Sequence, residues 1–215
     1  MEKQNRDLFA GFAGAVLLLL LFGWLARQVA RHATIKFDAA IRDGLHALAS
    51  PGLTLAFRIV TWLGSELFLV PFVLLLTWRL MKAGRSYAAG LLVIATGGGE
   101  VLSTLLKLIF RRARPAVFFG LATPDSYSFP SGHSMLSACV FGTAAAILTT
   151  RMASRPKRIA IWTAAAALTL AIGMSRIYLG VHYPSDVLAG YAAAVIWVMG
   201  VRTGYRVWLR RRGKT

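Results

Sequence analysis

The chain has 215 residues, 57% of them hydrophobic and 15% charged, with a mean hydropathy of +0.60. That length suits one sizeable domain, and the composition excludes an ordinary soluble globule. The formal net charge of +17 would point to nucleic acid in a soluble protein. Here the cations lie mainly between and after long apolar runs, so the expectation is membrane-helix flanks facing anionic headgroups and no nucleic-acid partner. Cys139 is the single cysteine, which excludes an intrachain disulfide; it falls in an apolar run and reads as a buried small hydrophobe.

Leu8 to Leu25 is uncharged and long enough to cross a bilayer. Met1–Asp7 has charges that cancel, and Ala26-Arg27-Gln28-Val29-Ala30 offers no clear cleavage site, so an uncleaved anchor is expected rather than a signal peptide. In the mixed segment that follows, Phe37, Ile41, Leu45 and Leu48 fall at helical spacing with Asp38, Arg42 and Asp43 between them. This predicts a short amphipathic helix, either lying on the membrane surface or packed on the bundle.

A second span is expected over residues 59–78, interrupted only by Glu66, whose place near an end suggests a surface position. A third, over 86–106, is interrupted only by Glu100, beside Gly97-Gly98-Gly99; this acid is expected to pair with a site cation or face the bundle interior. Residues 134–150 and 159–175 are each seventeen uncharged residues, near the lower limit for a span. A sixth span over 185–205 is extended to the interfaces by Tyr183, Tyr205 and Trp208. With the first span at 8–26, the expectation is an all-α integral membrane bundle of six helices, one domain over residues 1–215, its Ala-rich faces allowing close helix approach.

Six spans put both termini on one side. With the N-terminus inside, the inner side holds fifteen Lys and Arg and the outer side ten. The positive-inside rule then places the termini in the cytoplasm and the loops of His133 and His182 outside.

On that outer side the polar residues gather. Phe129-Pro130-Ser131-Gly132-His133-Ser134 sits where an apolar run begins; a helix starting there offers free N–H groups and a positive dipole end, a seat for an anion. Lys107 ends the third span and Arg114-Pro115 follows. Ser175-Arg176 ends the fifth, and His182-Tyr183-Pro184-Ser185-Asp186 opens the sixth. Taken singly, each cation reads as an interfacial anchor, each histidine as a cap or solvated residue, and Asp186 as a first-turn acid. Jointly, three cations, a Ser hydroxyl, backbone N–H groups, two histidines and a carboxylate suit phosphoryl transfer. Fixed donors hold the equatorial oxygens, one group attacks and another protonates the leaving oxygen.

Lys107-x6-Arg114-Pro115, Pro130-Ser131-Gly132-His133 and Ser175-Arg176-x5-His182-x3-Asp186 together resemble the three-part signature of the type 2 phosphatidic acid phosphatase (PAP2) superfamily, in order and without departure. The resemblance covers Lys107 to Asp186, and the layout is most similar to compact six-helix bacterial members such as phosphatidylglycerophosphate and undecaprenyl-diphosphate phosphatases. It implies that His182 is the nucleophile forming a phosphohistidine, that Asp186 orients it, and that His133 is the acid for the lipid leaving group. It implies phosphate binding by Lys107, Arg114, Ser131, Gly132 and Arg176, with no metal and no cofactor; the motifs carry no carboxylate cluster of the kind that holds Mg²⁺. Soluble vanadate-dependent haloperoxidases share the signature, but six spans in so short a chain argue against that branch.

The expected function is therefore hydrolysis of a membrane lipid phosphate or diphosphate (phosphatidylglycerophosphate, undecaprenyl diphosphate or phosphatidic acid) at the outer interface of a bacterial inner membrane. A lipid phosphotransferase using the same site and a non-enzymatic anionic-lipid binder are the alternatives. Oligomeric state is not legible, and the lipid-chain groove lies between helices that sequence alone does not arrange.

Overall fold

The computed structural model describes residues 2–211, with side chains described for 13–209. Of the cations counted for orientation, Lys3, Arg6 and those from Arg210 onward fall outside the described side chains. Eight α-helices and no strand are found among the described residues: α1 (Glu2–Ala30), α2 (Ile35–Ala47), α3 (Pro51–Trp62), α4 (Glu66–Lys82), α5 (Ser86–Phe110), α6 (Gly132–Thr149), α7 (Arg155–Tyr178) and α8 (Pro184–Arg211). Five of them are long and apolar enough to cross a membrane, and α3 with α4 makes a sixth span if the bent pair is counted as one.

Local sequence explains several helix starts. Ser50 caps α3 by accepting from the Leu53 N–H at 3.3 Å, with Pro51 in the first turn. Pro156 holds the same place after Ser154 in α7, and α8 opens on Pro184 with Asp186 in its first turn. At the other end of α5, Arg111 adopts a left-handed φ of 46° and its N–H bonds to the Lys107 carbonyl at 2.9 Å. That closing turn ends the helix and carries the chain back over the bundle end.

α6 is the central helix, packed against α5, α7 and α8, and two thirds of it is buried. It is apolar on every side, as a helix surrounded by others must be. Met135 and Cys139 meet Ala193 and Ala194 of α8, where small side chains let the backbones approach. Leu136, Val140 and Phe141 pack on Leu69 of α4 and Ile172 of α7. The outer helices show the reverse: Leu17, Leu20 and Trp24 of α1 and Ile159, Trp162 and Leu170 of α7 face outward, which suits contact with lipid.

One expectation is corrected. The segment at 59–78 is not one helix: it breaks at residues 63–65 and bends by 44°. Gly64 sits at this break, where a Cβ would lie 2.4 Å from Ile172 Cγ2 and 3.4 Å from the His133 ring, so only glycine permits the approach. Ser65 stands at the N-cap position of α4 with its hydroxyl donating to the Trp62 carbonyl at 2.6 Å, and Glu66 occupies the first turn, exposed as expected and bordering a cavity. α2 takes the second of its two expected placements, packed on α7 and α8. Ile41 and Leu45 of its stripe are half-buried and Phe37 and Leu48 exposed, whereas Asp38 is fully buried. A buried carboxylate needs partners, and Arg112 and Ser185 supply them.

Candidate active site

The site is built where α6 starts. Ser131 is the N-cap, its hydroxyl accepting from the Ser134 N–H at 3.5 Å and the Ser134 hydroxyl at 3.0 Å. The Ser131 N–H donates to the Asp186 carbonyl at 3.0 Å, tying this start to the start of α8. Helix geometry leaves the N–H groups of Gly132 and His133 without intrahelical acceptors. A Cβ on Gly132 would stand 3.1 Å from the Lys107 ammonium, so the missing side chain lets that cation lie against the helix end. Like-signed charge at a helix N-terminus is unfavourable unless an anion is shared between them.

A cavity of about 150 Å³ opens there, lined by Lys107, Arg114, Gly132, His133, Arg176 and His182 together with Gly64, Glu66, Glu100, Pro124, Ser126 and Leu136. Six of the eight residues expected from the sequence therefore share one wall set. Ser131 and Asp186 do not line it. Ser131 is fully buried as the cap, and Asp186 is fully buried behind His182.

Arg114 is held from several sides. Its Nε donates to the Ser126 carbonyl at 2.6 Å and its Nη2 to the Ser126 hydroxyl at 2.9 Å. Its Nη1 donates to the Val181 carbonyl at 2.9 Å. Arg176 donates from Nη1 to the Thr61 hydroxyl at 2.7 Å, and its buried Nε has no hydrogen-bond partner. Burial lowers the Arg114 pKa and the Asp186 carboxylate opposes that shift. None of the acceptors around these two guanidiniums is charged, so their charge stays free for an incoming anion.

His182 stands between this cationic wall and Asp186. Its Nε2 lies 3.1 Å from Arg114 Nη1. A guanidinium can only donate, so Nε2 must be the acceptor and carries a lone pair. The proton is thereby assigned to Nδ1, which lies 3.4 Å from Asp186 Oδ2 and donates toward it. Burial first, then the charges of Arg176, Arg114 and Lys107, push the His182 pKa well below the ordinary imidazole value. The ring is thus held in one tautomer at the wall of a cation-lined cavity.

Asp186 is held by more than its histidine. Oδ2 accepts from the Ser128 hydroxyl at 2.5 Å and from the Tyr183 N–H at 2.9 Å, and Oδ1 accepts from Arg112 Nη1 at 2.5 Å. Arg112 reaches in the other direction to Asp38 Oδ2 at 2.7 Å. The sequence reading missed Arg112, Ser128, Ser126, Thr61 and Asp38. Arg112 stands in Arg111-Arg112-Ala113-Arg114 and looks like membrane-flank charge, and Asp38 looks like the polar side of an amphipathic helix. The local pattern pointed the wrong way: Arg42 stands four positions after Asp38, as in a helix-face ion pair, yet it bonds to the Ala116 carbonyl at 2.7 Å.

Fold and site together define a polytopic helical membrane protein with a cationic, histidine-bearing cavity at one end of the bundle. A family model described as the PAP2 superfamily matches residues 88–210, and the chain belongs to that superfamily. It is 31% identical over 183 residues to phosphatidylglycerophosphatase B of Bacillus subtilis (strain 168), covering 84% of this chain and 89% of that one. Among solved structures it is similar to a transmembrane PAP2-type phosphatidylglycerolphosphate phosphatase from Bacillus subtilis, with a TM-score of 0.82, 29% identity, and 90% and 96% of the two chains covered. The Aquifex aeolicus LpxE structure is also similar, with a TM-score of 0.61, 26% identity, and 78% and 95% covered.

Proposed function

We propose that this chain is a lipid phosphate phosphatase that works through a phosphohistidine on His182. The observation that carries the mechanism is the double constraint on the His182 ring, Nε2 facing Arg114 and Nδ1 facing Asp186. Nε2 attacks phosphorus while Lys107, Arg114, Arg176 and the N–H groups of Gly132 and His133 hold the equatorial oxygens. The bond from phosphorus to the lipid oxygen breaks, and His133 gives its proton to that oxygen. Water then attacks the phosphohistidine, His133 takes the water's proton, and inorganic phosphate leaves. Asp186 stabilises the positive charge that the His182 ring acquires in both steps. Ser131 acts by fixing the helix start.

A groove of about 320 Å³ supports a lipid substrate. Leu69, Val70, Val73 and Leu74 of α4 and Leu136 and Val140 of α6 line it, and it shares Glu66, Glu100 and Leu136 with the cation-lined cavity. An acyl chain in this groove would leave its phosphate at His182. Similarity to phosphatidylglycerophosphatase B makes phosphatidylglycerophosphate the first substrate to try. Purified protein is to be assayed on that lipid, undecaprenyl diphosphate, phosphatidic acid and a soluble phosphomonoester, with and without a lipid acceptor. Preferred release of inorganic phosphate from one of the lipids is expected. No preference over the soluble ester would remove the lipid assignment, and phosphoryl transfer to the acceptor would make it a transferase.

We further propose that the site faces the outside of a bacterial inner membrane, with the termini cytoplasmic. The balance of fifteen inner to ten outer Lys and Arg supports this orientation. A Thr123→Cys variant, in the exposed loop before α6, should react with a membrane-impermeant thiol reagent added to intact cells. Reaction only after lysis would invert the topology.

A further inference from the structure

Behind His182 lies a buried polar cluster that the phosphatase chemistry above does not use. Arg112 spans two carboxylates, Asp38 of α2 and Asp186 of α8, at 2.7 and 2.5 Å. Ser185 ties the same groups together. Its hydroxyl accepts from Arg112 Nη1 at 2.7 Å and donates to Asp38 Oδ2 at 2.8 Å, while its N–H donates to Asp38 Oδ1 at 2.9 Å. Arg112 Nη2 also reaches the Thr34 hydroxyl at 3.3 Å, and its guanidinium lies 4.0 Å from the centre of the Tyr183 ring. Both carboxylates are fully buried.

The charge of this cluster decides what Asp186 can do. Arg112 and Asp186 alone would form a neutral pair, with the carboxylate's charge already matched. Adding Asp38 leaves one unmatched negative charge in a buried network, on the side of His182 away from Lys107, Arg114 and Arg176. Those three cations oppose any positive charge on the His182 ring, yet attack on phosphorus creates one. A residual negative charge close behind the ring offsets that opposition, and in a buried site it is poorly screened.

We propose that Asp38 and Arg112 are positioning residues for catalysis: Asp38 occupies the Arg112 charge, so that Asp186 keeps its own for the His182 ring. The proposal rests on His182 being the nucleophile. It also gives α2 a part in the reaction. This helix presents Ile35, Phe37 and Leu48 outward and sends one buried carboxylate inward to the catalytic network.

The test compares Asp38→Asn with Ser185→Ala and Asp186→Asn in the purified protein, with initial rates on a lipid phosphate and thermal midpoints in detergent. Asp38→Asn keeps the shape and removes the charge. It should lower kcat about tenfold with KM within about twofold, because the cations that bind phosphate are untouched. Ser185→Ala loosens the same cluster with both charges kept, and should cost less in kcat than Asp38→Asn even where it lowers the midpoint as much. In an Asp186→Asn background, Asp38→Asn should add less than about a twofold loss, since residues acting through one group are not additive. A purely structural staple would give kcat losses that follow the midpoints and add to that of Asp186→Asn, and either result overturns the proposal. If Asp38→Asn yields no folded protein, Arg112→Lys puts the same question, as one ammonium cannot span both carboxylates: a kcat loss of about tenfold at constant KM is expected, and unchanged kcat refutes it. Turnover by His182→Ala would instead remove the functional reading itself, whereas an inactive His182→Ala beside an unaffected Asp38→Asn removes this proposal alone.

Discussion

Arg112 and Arg114 follow one another in the same loop after α5, and they do opposite work. Arg114 is held entirely by neutral acceptors, namely three carbonyls, a hydroxyl and the lone pair of His182, so its charge is available to the cavity. Arg112 is held by two carboxylates, so its charge is consumed. His182 stands between them, with a cationic wall in front and an anionic network behind. The lesson is that net charge near a site says little; the partner of each cation decides whether it binds substrate or braces the protein. Only Ala113 separates the two arginines, so the direction each side chain takes from the backbone sets its role.

The largest way to break this arrangement is to remove what lies between the two walls. His182→Ala should reduce phosphate release from a short-chain lipid phosphate by about 10⁴-fold or more with the helical content retained, read by phosphate assay and circular dichroism. Opening the front wall comes next: Arg114→Ala should lower kcat/KM by about 10²–10³-fold, and vanadate, a mimic of the in-line phosphoryl group, should lose potency as an inhibitor in parallel.

The contrast also carries a pH signature. Burial and the cations of the front wall hold the His182 pKa well below its ordinary value near 6.5. Only the neutral ring attacks, so activity is present above the depressed pKa and is lost as the pH falls through it. The acid limb of kcat/KM, corrected for ionisation of the substrate phosphate, should lie below about 6.5 and should move upward in Arg114→Ala. An acid limb above that value in the wild type would contradict the electrostatic picture. The smallest effect is expected from Gly132→Ala, whose Cβ would meet the Lys107 ammonium at 3.1 Å. A flexible lysine tip can move aside, so turnover should fall about fewfold with an unchanged thermal midpoint.

The long apolar helices were legible because a bilayer demands about twenty apolar residues per crossing, and charge-free runs of that kind are hard to mistake. The break at Gly64 was not, because hydropathy averages over it; the reason for it lies on α6 and α7, where His133 and Ile172 need the room. Likewise the front wall could be listed from motif spacing, since each motif residue ends or begins a helix at the same end of the bundle. The back wall could not. Asp38 reaches Arg112 and Ser185 across 74 and 147 residues of chain, and no local pattern encodes such a pairing.

The sequence by itself therefore determined that this protein is a helical membrane bundle and which polar residues gather at one end of it, because periodicity, hydropathy and helix-end chemistry are local properties of the chain. Tertiary structure alone decided which of two neighbouring arginines faces the cavity, that Asp186 is shared between a histidine and a buried ion-pair network, and that α2 sends a buried acid into that network. Those outcomes depend on which groups burial brings within hydrogen-bonding distance, and a buried charge takes the partner that packing places beside it.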